Sequence, residues 1–247
     1  MKLAINHTFL IGCHTEGVVS VINPEAETAT IIDSPFGELD SIWNVQIVPN
    51  RAEGEPEQTL MATTNGLYIA IVTEEGQFMY CMESFFKGSN VTNCVIITVD
   101  EVLCSIQKEQ ENRLVIVNLE THTELTIINA ENAVYYIDMA KIPHNEGDPA
   151  YYLMHSGRGI SMLDSEKKTE YQLALNNQFN FNVCRSLSLQ PVDSSDCDQG
   201  FWLAQIDNGM ESAADRMHIQ AYKFKPEFMQ GLRNLHLKAA TLTAADF

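Results

Sequence analysis

The sequence predicts an all-β protein of about five four-stranded antiparallel sheets, and three observations in its 247 residues lead to this prediction. First, similar apolar segments end at Pro49, Pro143 and Pro191, which are 94 and 48 residues apart, so the chain has a period of about 47 residues. Second, further short apolar segments separated by turn residues follow each of them. Third, stretches with helical periodicity are scarce before residue 226.

Each period contains up to four strands, a to d, in chain order. The segments that end at the prolines are strands a, and NCVIITVDE, with Asp100 near the place of the proline, is the copy between the first two. Strands b begin at residues 9, 59, 102, 151 and 201, and alternating segments for strands c and d follow. We expect the first sheet to begin with strand b at Phe9, since only eight residues precede it. We expect the last sheet, from residue 183, to stop after strand c, because Pro226 interrupts the chain there.

Sheets of this kind predict a β-propeller, because one four-stranded sheet cannot bury both faces alone and radial stacking buries each face against the next blade. The chain then resembles the WD40-like propeller family over residues 9–225. The resemblance rests on the proline that ends strand a and on the phrases Asn118-Leu119-Glu120-Thr121 and Leu163-Asp164-Ser165-Glu166, which close strand c. It implies blades that present loops on rigid sheets, a scaffold suited to recognition of proteins and peptides.

The repeats depart from the family pattern in two respects. No Gly-His and no Trp-Asp dipeptide occurs in the chain, and glycine turns such as Thr64-Asn65-Gly66-Leu67-Tyr68 also resemble a citron-homology-like propeller. The family commonly has seven blades, and this chain supplies about five. Three arrangements remain open: a small closed ring, a part of a larger propeller, or a propeller that a partner completes.

The C-terminal segment differs in composition from the blades, so we divide the chain into blades at 1–225 and a closing segment at 226–247. Residues 213–247 contain five Lys or Arg and three Asp or Glu. Pro226 can open a short helix, or LHLKAATLTA can form a closing strand. In the second case residues 232–243 would supply a missing strand and join the last blade to the first. We favour the alternative, in which another chain covers the first and last blades.

Charge and cysteine usage exclude several classes of protein. Hydrophobic residues make up 45% of the chain and its net charge is −18, which argues against disorder and against non-specific binding to nucleic acid or anionic membranes. None of the six cysteines lies in a C-x-x-C pair, so we expect six free thiols and a cytoplasmic or nuclear protein. Only the sequons at Asn6 and Asn90 favour the alternative, a secreted and disulfide-bonded chain.

The sequence indicates no enzyme, no cofactor and no metal site. It has no nucleophile elbow, P-loop, dinucleotide fingerprint or zinc-protease motif. His155-Ser156-Gly157-Arg158 stands where a b–c turn is expected. Asp193, Asp196 and Asp198 lie close together, but the pattern of a calcium loop is absent.

Two sets of residues are candidates for partner binding. The longest insertions, at 49–58, 143–150 and 191–199, connect strands a and b and carry charges of −2, −2 and −3. In a propeller they would form one acidic rim, made of Glu53, Glu55, Glu57, Glu146, Asp148, Asp193, Asp196 and Asp198. Near the start of strand a, on the opposite side, are residue types common at binding hot spots, namely Trp43, Tyr135, Tyr136 and Arg185.

These features favour a non-catalytic protein–protein interaction scaffold, a propeller subunit of a larger assembly whose partner has a basic surface. The alternative is a small propeller that binds, or hydrolyses, a glycan or other small ligand at the central funnel. A lectin built from repeated blades would carry the same polar and aromatic residues at each funnel position, and no such set is found.

Overall fold

All secondary structure that the computed structural model describes is β-strand. The described residues are 2–5, 9–13, 18–32, 41–49, 58–73, 78–109, 111–130, 136–142, 151–156, 159–164, 169–172, 184–192, 200–207 and 216–223. They form five antiparallel sheets, in each of which strands that are consecutive in the chain are neighbours. Within these residues no helix is long and apolar enough to cross a membrane. The all-β prediction is confirmed.

Contacts divide the chain into two compact units, residues 1–136 and 137–247. The first unit contains three four-stranded sheets. Sheet I consists of β1 (Lys2–Ile5), β2 (Leu10–Cys13), β3 (Val19–Asn23) and β4 (Thr28–Ile32). Sheet II consists of β5 (Ile42–Val48), β6 (Gln58–Thr63), β7 (Gly66–Val72) and β8 (Phe78–Phe85). Sheet III consists of β9 (Asn90–Ile96), β10 (Glu101–Lys108), β11 (Glu111–Asn118) and β12 (Glu124–Ala130).

The second unit contains the other two sheets. Sheet IV is β13 (Tyr136–Lys141), β14 (Tyr151–Ser156), β15 (Gly159–Asp164) and β16 (Thr169–Gln172), so that only its first residue is assigned to the first unit. Sheet V is β17 (Cys184–Val192), β18 (Gly200–Asp207) and β19 (Arg216–Lys223), three strands within the described residues. The segment 226–247, proposed above as a closing strand or short helix, lies outside the described residues.

The prediction that the first sheet lacks strand a is wrong. Residues 2–5 form β1, which pairs with β2 in a regular register from Lys2 opposite Cys13 to Ile5 opposite Leu10. A strand rises about 3.3 Å per residue, so four residues are enough to lie along the equally short β2. Four residues are too few, however, to display an alternating pattern that the sequence could reveal.

Sheet II is buried on both faces, as the stacking argument requires. Successive residues of β6 alternate between two apolar clusters, with Leu60 in the cluster shared with sheet III and Met61 in the cluster shared with sheet I. Five of the six residues of this strand are buried. Because the clusters lie between consecutive sheets, each sheet of this unit is stabilised by its neighbour along the chain.

The residue that ends strand c caps the following turn in two sheets of the first unit. The Oδ1 atom of Asn23 accepts the backbone N–H groups of Glu25 and Ala26, at 3.0 Å each. The Oδ1 atom of Asn118 accepts those of Glu120 and Thr121, at 3.1 and 2.8 Å. Such Asx turns satisfy backbone donors that a tight hairpin would leave open. They explain why a short polar residue recurs at the end of strand c.

The turn between β6 and β7 requires glycine at residue 66. Gly66 has φ +139°, and a Cβ atom there would lie 2.7 Å from the carbonyl oxygen of Phe85. The turn is also held by the Thr63 hydroxyl, which donates to the Gly66 carbonyl at 3.0 Å and accepts the N–H of Asn65 at 3.1 Å.

We therefore expect Gly66→Ala to lower the free energy of unfolding by about 2 kcal/mol, through backbone strain and displacement of the end of β8. The matched control is Gly88→Ala. Gly88 has φ +77° but nothing within 4 Å of its added Cβ, so the expected loss is about 1 kcal/mol or less. Urea unfolding followed by circular dichroism measures both, and equal losses would contradict the steric argument.

Candidate functional site

The first strands of sheets II and III are joined by a chain of side-chain hydrogen bonds that begins at Trp43. The indole N–H of Trp43 donates to Oδ1 of Asn90 at 2.9 Å, and Nδ2 of Asn90 donates to Oε1 of Gln107 at 3.2 Å. All three side chains are half-buried. Because the indole N–H and the Asn90 amide fix each other, the aromatic ring of Trp43 is held in one orientation at the start of β5.

A second polar contact lies deeper between the same two strands. Nδ2 of Asn44 donates to Oδ1 of Asn93 at 2.6 Å, and both residues are buried. Oδ1 of Asn44 in turn accepts Nε2 of Gln46 at 3.3 Å. Buried amides are tolerated only when such partners are present, so this pair makes the approach of β5 to β9 specific as well as stable.

A third contact continues the polar cluster onto the next strand of sheet III. The hydroxyl groups of Thr92 on β9 and Ser105 on β10 lie 3.0 Å apart, and both residues are buried. Together these eight residues are called the amide cluster below: Trp43, Asn44, Gln46, Asn90, Thr92, Asn93, Ser105 and Gln107.

β-Bulges place the side chains of this cluster. The register of β5 with β6 shifts between Ile42 and Asn44, which makes Trp43 the extra residue. The register of β9 with β10 shifts between Ser105 and Ile106, which makes Thr92 the extra residue of β9. A bulge inserts one residue without a partner and re-aims the side chains around it. A similar shift follows Cys184 in β17, at the level of Arg185.

The predicted aromatic and arginine set is only partly described. Trp43 lies in β5, Tyr136 is the first residue of β13 and Arg185 is the second residue of β17, so each stands at the start of the first strand of its own sheet, as expected. Of these three, the described side-chain contacts are those of Trp43. Tyr135 lies outside the described residues.

The predicted acidic rim lies entirely outside the described residues. This applies to all eight carboxylates, which are Glu53, Glu55, Glu57, Glu146, Asp148, Asp193, Asp196 and Asp198. In the described part of the chain no group of three or more His, Cys, Asp or Glu residues is arranged to hold a metal ion. The rim therefore remains a prediction from charge and position.

No motif of the sequence indicates Asn90, Asn93 and Gln107 as site residues, although the repeat contains a signal for two of them. Trp43 and Asn90 are 47 residues apart, about one period, and Asn44 and Asn93 are 49 residues apart. Polar residues at equivalent positions of consecutive apolar strands indicate that the strands meet there. The period alone does not show which of them touch, because the bulges shift the registers.

The hydrogen bonds of Asn90 also bear on the secreted alternative. In the sequon Asn90-Val91-Thr92, the amide of Asn90 lies between Trp43 and Gln107, and the Thr92 hydroxyl is buried against Ser105. N-glycosylation would replace one of the two hydrogens on Nδ2 of Asn90, so a sugar there would have to share the space beside Gln107, whose Oε1 lies 3.2 Å away.

His155 is buried in β14, directly opposite Ile160 of β15. Burial lowers the pKa of its imidazole to about 4, because the charged form loses its hydration inside the sheet. The ring is therefore neutral at pH 7. The predicted b–c turn is placed too early: His155 and Ser156 belong to β14, Ser156 pairs with Gly159 at the start of β15, and residues 157 and 158 lie outside the described residues.

The three cysteines whose side chains are described, Cys13, Cys94 and Cys104, are free and buried. Burial raises the pKa of the Cys13 thiol to about 12 and that of Cys104 well above its ordinary value. Cys94 and Cys104 stand directly opposite each other on β9 and β10. The prediction of six free thiols stays a prediction, and the side chains of Cys81, Cys184 and Cys197 lie outside what the structure describes.

Comparisons with known proteins identify the fold. No family model matches the chain, and no curated protein matches it. Among solved structures it is similar to Sqt1 of Saccharomyces cerevisiae, a WD40 propeller, with a TM-score of 0.50 and 13% identity over 88% of this chain. The chain spans 61% of the length of that protein. With five antiparallel meanders of consecutive strands, this similarity shows a β-propeller fold.

Proposed function

We propose that this chain is a non-catalytic protein-interaction module, a propeller subunit of a larger assembly, whose partner presents a basic surface. The observation that carries the proposal is the orientation of Trp43 by Asn90 at the start of the first strand of its sheet. A half-buried tryptophan held in one orientation loses little entropy on binding, and tryptophan is among the residues that dominate hot spots.

The net charge of −18 supports the choice of partner. A strongly acidic protein attracts basic surfaces through long-range steering and repels acidic ones. Four amides of this region hydrogen-bond in two pairs, Asn44 with Asn93 and Asn90 with Gln107. This favours a protein partner over the alternative, a glycan or small ligand that the same amides would have to bind.

A reducing compartment, the cytoplasm or the nucleus, belongs to the same proposal. Its support is the usage of the cysteines: none lies in a C-x-x-C pair, and Cys13, Cys94 and Cys104 are buried within the sheets as small apolar residues.

The experiment that tests the function is capture of partners with the intact chain from its native source, identified by mass spectrometry, followed by kinetics with the purified partner. We expect Trp43→Ala to raise the dissociation rate about tenfold or more, since hot-spot truncations act mainly on dissociation. The matched variant Trp43→Phe keeps most of the ring but removes the N–H donated to Asn90, and we expect a smaller effect. An unchanged dissociation rate in both variants would exclude Trp43 from the interface.

The acidic rim gives a separate prediction about association. Neutralisation of its eight carboxylates to amides should slow association at low salt and leave dissociation nearly unchanged, because exposed charges act over a Debye length of about 10 Å at 0.1 M salt. The expected difference disappears at about 1 M salt, where that length falls to about 3 Å. Stopped-flow association measures it. If the rates at low salt are equal, the rim contributes solubility alone.

A further inference from the structure

The outer strand of sheet I has an open edge of unusual composition. β4 is the last strand in the order β1-β2-β3-β4, so its far side pairs with no strand among the described residues. Its sequence, TATII, has no charged residue and is rich in β-branched side chains. Soluble proteins usually protect such edges with charges, because an open row of backbone N–H and C=O groups pairs readily with another strand.

The other outer strands have this protection. A glutamate stands within each of them, namely Glu83 in β8, Glu124 in β12 and Glu170 in β16. The difference is therefore specific to sheet I among the four complete sheets. It indicates that the β4 edge is kept free of charge although it is exposed.

Apolar side chains are exposed beside this edge. Ile31 of β4 is 72% exposed and Ile22 of β3 is 36% exposed. Ile22 is paired with Leu10 on one side and with Ala29 on the other, and Ile31 is paired with Ser20. Because side chains alternate along a strand, Ile22 and Ile31 lie on the face opposite to that of Val19 and Val21. Val19 and Val21 are buried against sheet II. An added strand would cover Ile31 with its own alternating side chains.

The hairpin that presents β4 is held in one conformation. Asn23 caps the turn by accepting the N–H groups of Glu25 and Ala26, and Glu27 closes it with a left-handed φ of +51°. A preorganised strand loses less conformational entropy when it pairs, which favours binding.

The charges around the strand determine the occupant. The turn before β4 contains Glu25 and Glu27, both exposed, and the sequence after it, residues 33–40, contains three acidic residues and no basic one. Pairing of two copies of β4 would bring acidic segments together in either orientation, and like charges opposite each other are destabilising. A basic partner satisfies both ends.

We propose that the edge of β4 is a strand-addition site, which binds an extended segment of a partner that has a short β-branched core and basic residues on both sides. Backbone hydrogen bonds along β4 supply affinity, and Glu25, Glu27 and Ile31 supply selectivity. This inference rests on the proposed function, the binding of a basic protein partner, and locates one contact of that partner.

The test uses the intact chain and a fluorescein-labelled probe peptide, Lys-Arg-Thr-Val-Thr-Ile-Thr-Arg-Lys, with anisotropy measured at low salt. We expect saturable binding that Ile31→Lys weakens about tenfold or more, through like charge and loss of apolar cover. The matched control is Leu125→Lys on the outer strand of sheet III, where Leu125 is 51% exposed. Leu125→Lys adds the same charge at an exposed position of another outer strand, and we expect this variant to bind the probe peptide as tightly as the unchanged chain does. Circular dichroism verifies that both variants fold.

A second pair of variants tests the charges. Glu25→Gln with Glu27→Gln should weaken binding about three- to tenfold at low salt. The control, Glu120→Gln with Glu124→Gln, removes two charges from exposed positions of the corresponding hairpin of sheet III and should have no effect. Equal weakening by both pairs, or by Ile31→Lys and Leu125→Lys, would overturn the assignment to β4.

A second peptide separates failure of this inference from failure of the proposed function. Lys-Arg-Thr-Pro-Thr-Pro-Thr-Arg-Lys has the same charge but cannot pair as a strand, because proline lacks the N–H donor. We expect it to bind at least tenfold more weakly. If both peptides bind equally, strand addition is wrong and a basic partner is retained. If neither binds, the strand-addition site is excluded; failure of partner capture would then count separately against the proposed function.

Discussion

Substitution of Asn93 by leucine should lower the free energy of unfolding by about 3 kcal/mol. The change removes the acceptor of a 2.6 Å hydrogen bond and leaves the Nδ2 donor of Asn44 buried between β5 and β9. A buried polar group that loses its partner carries its full desolvation cost, which is larger than the net value of the hydrogen bond itself. Urea unfolding of the intact chain, followed by circular dichroism, measures the loss.

The double variant Asn44→Leu with Asn93→Leu provides the control. Replacement of both partners by apolar groups removes the Nδ2 donor of Asn44 together with its acceptor on Asn93, so we expect at least half of the lost stability to return. Gln46, which donates to Asn44, is half-buried and can turn to solvent. A double variant whose loss equals the sum of the two single losses would show that the amides do not act as a pair.

Acidification should destabilise the second unit through His155. The pKa of its imidazole is about 4 in the folded chain and about 6.5 when unfolded, so between these values the unfolded state binds more protons. Stability is therefore full above pH 6.5 and falls as the pH is lowered towards 4. The expected loss from this group is about 2 kcal/mol between pH 7 and pH 5, and about 3 kcal/mol when titration is complete.

The measurement compares unfolding free energies at pH 7 and pH 5 for the chain and for His155→Gln, which cannot titrate. We expect the variant to lose the part of the pH dependence that His155 contributes. Identical pH profiles for the chain and His155→Gln would mean that His155 is protonated in the folded state as easily as in the unfolded one.

Most of the architecture could be predicted from the sequence because the fold is local. Each sheet is a meander of consecutive strands joined by short turns, so alternation and turn residues determine the strands without knowledge of distant contacts. The repeat copy in which Asp100 stands near the place of the proline is an example. NCVIITVDE supplies the second half of β9 and the turn after it, which is closed by the Thr98 hydroxyl that accepts the N–H groups of Asp100 and Glu101.

The candidate site could be predicted only in part. Trp43 was expected at the start of strand a, and it lies there. Its partners were not expected, because an asparagine in an apolar strand, such as Asn90 or Asn93, does not indicate which residue of another sheet it will meet. The acidic residues Glu25 and Glu27 before β4 can be read from the sequence. Only the structure shows that β4 is the outer strand of its sheet and that Ile31 is exposed.

The sequence by itself determined that this chain is all-β, that its strands come in quartets with a period of about 47 residues, and that its net charge is −18. The tertiary structure decided three things. It paired β1 with β2, it brought Asn44 to Asn93 across 49 residues, and it buried His155. The reason is physical: periodicity encodes which side of a strand faces a core, whereas the stacking of sheets and the bulges in β5 and β9 determine which side chains touch.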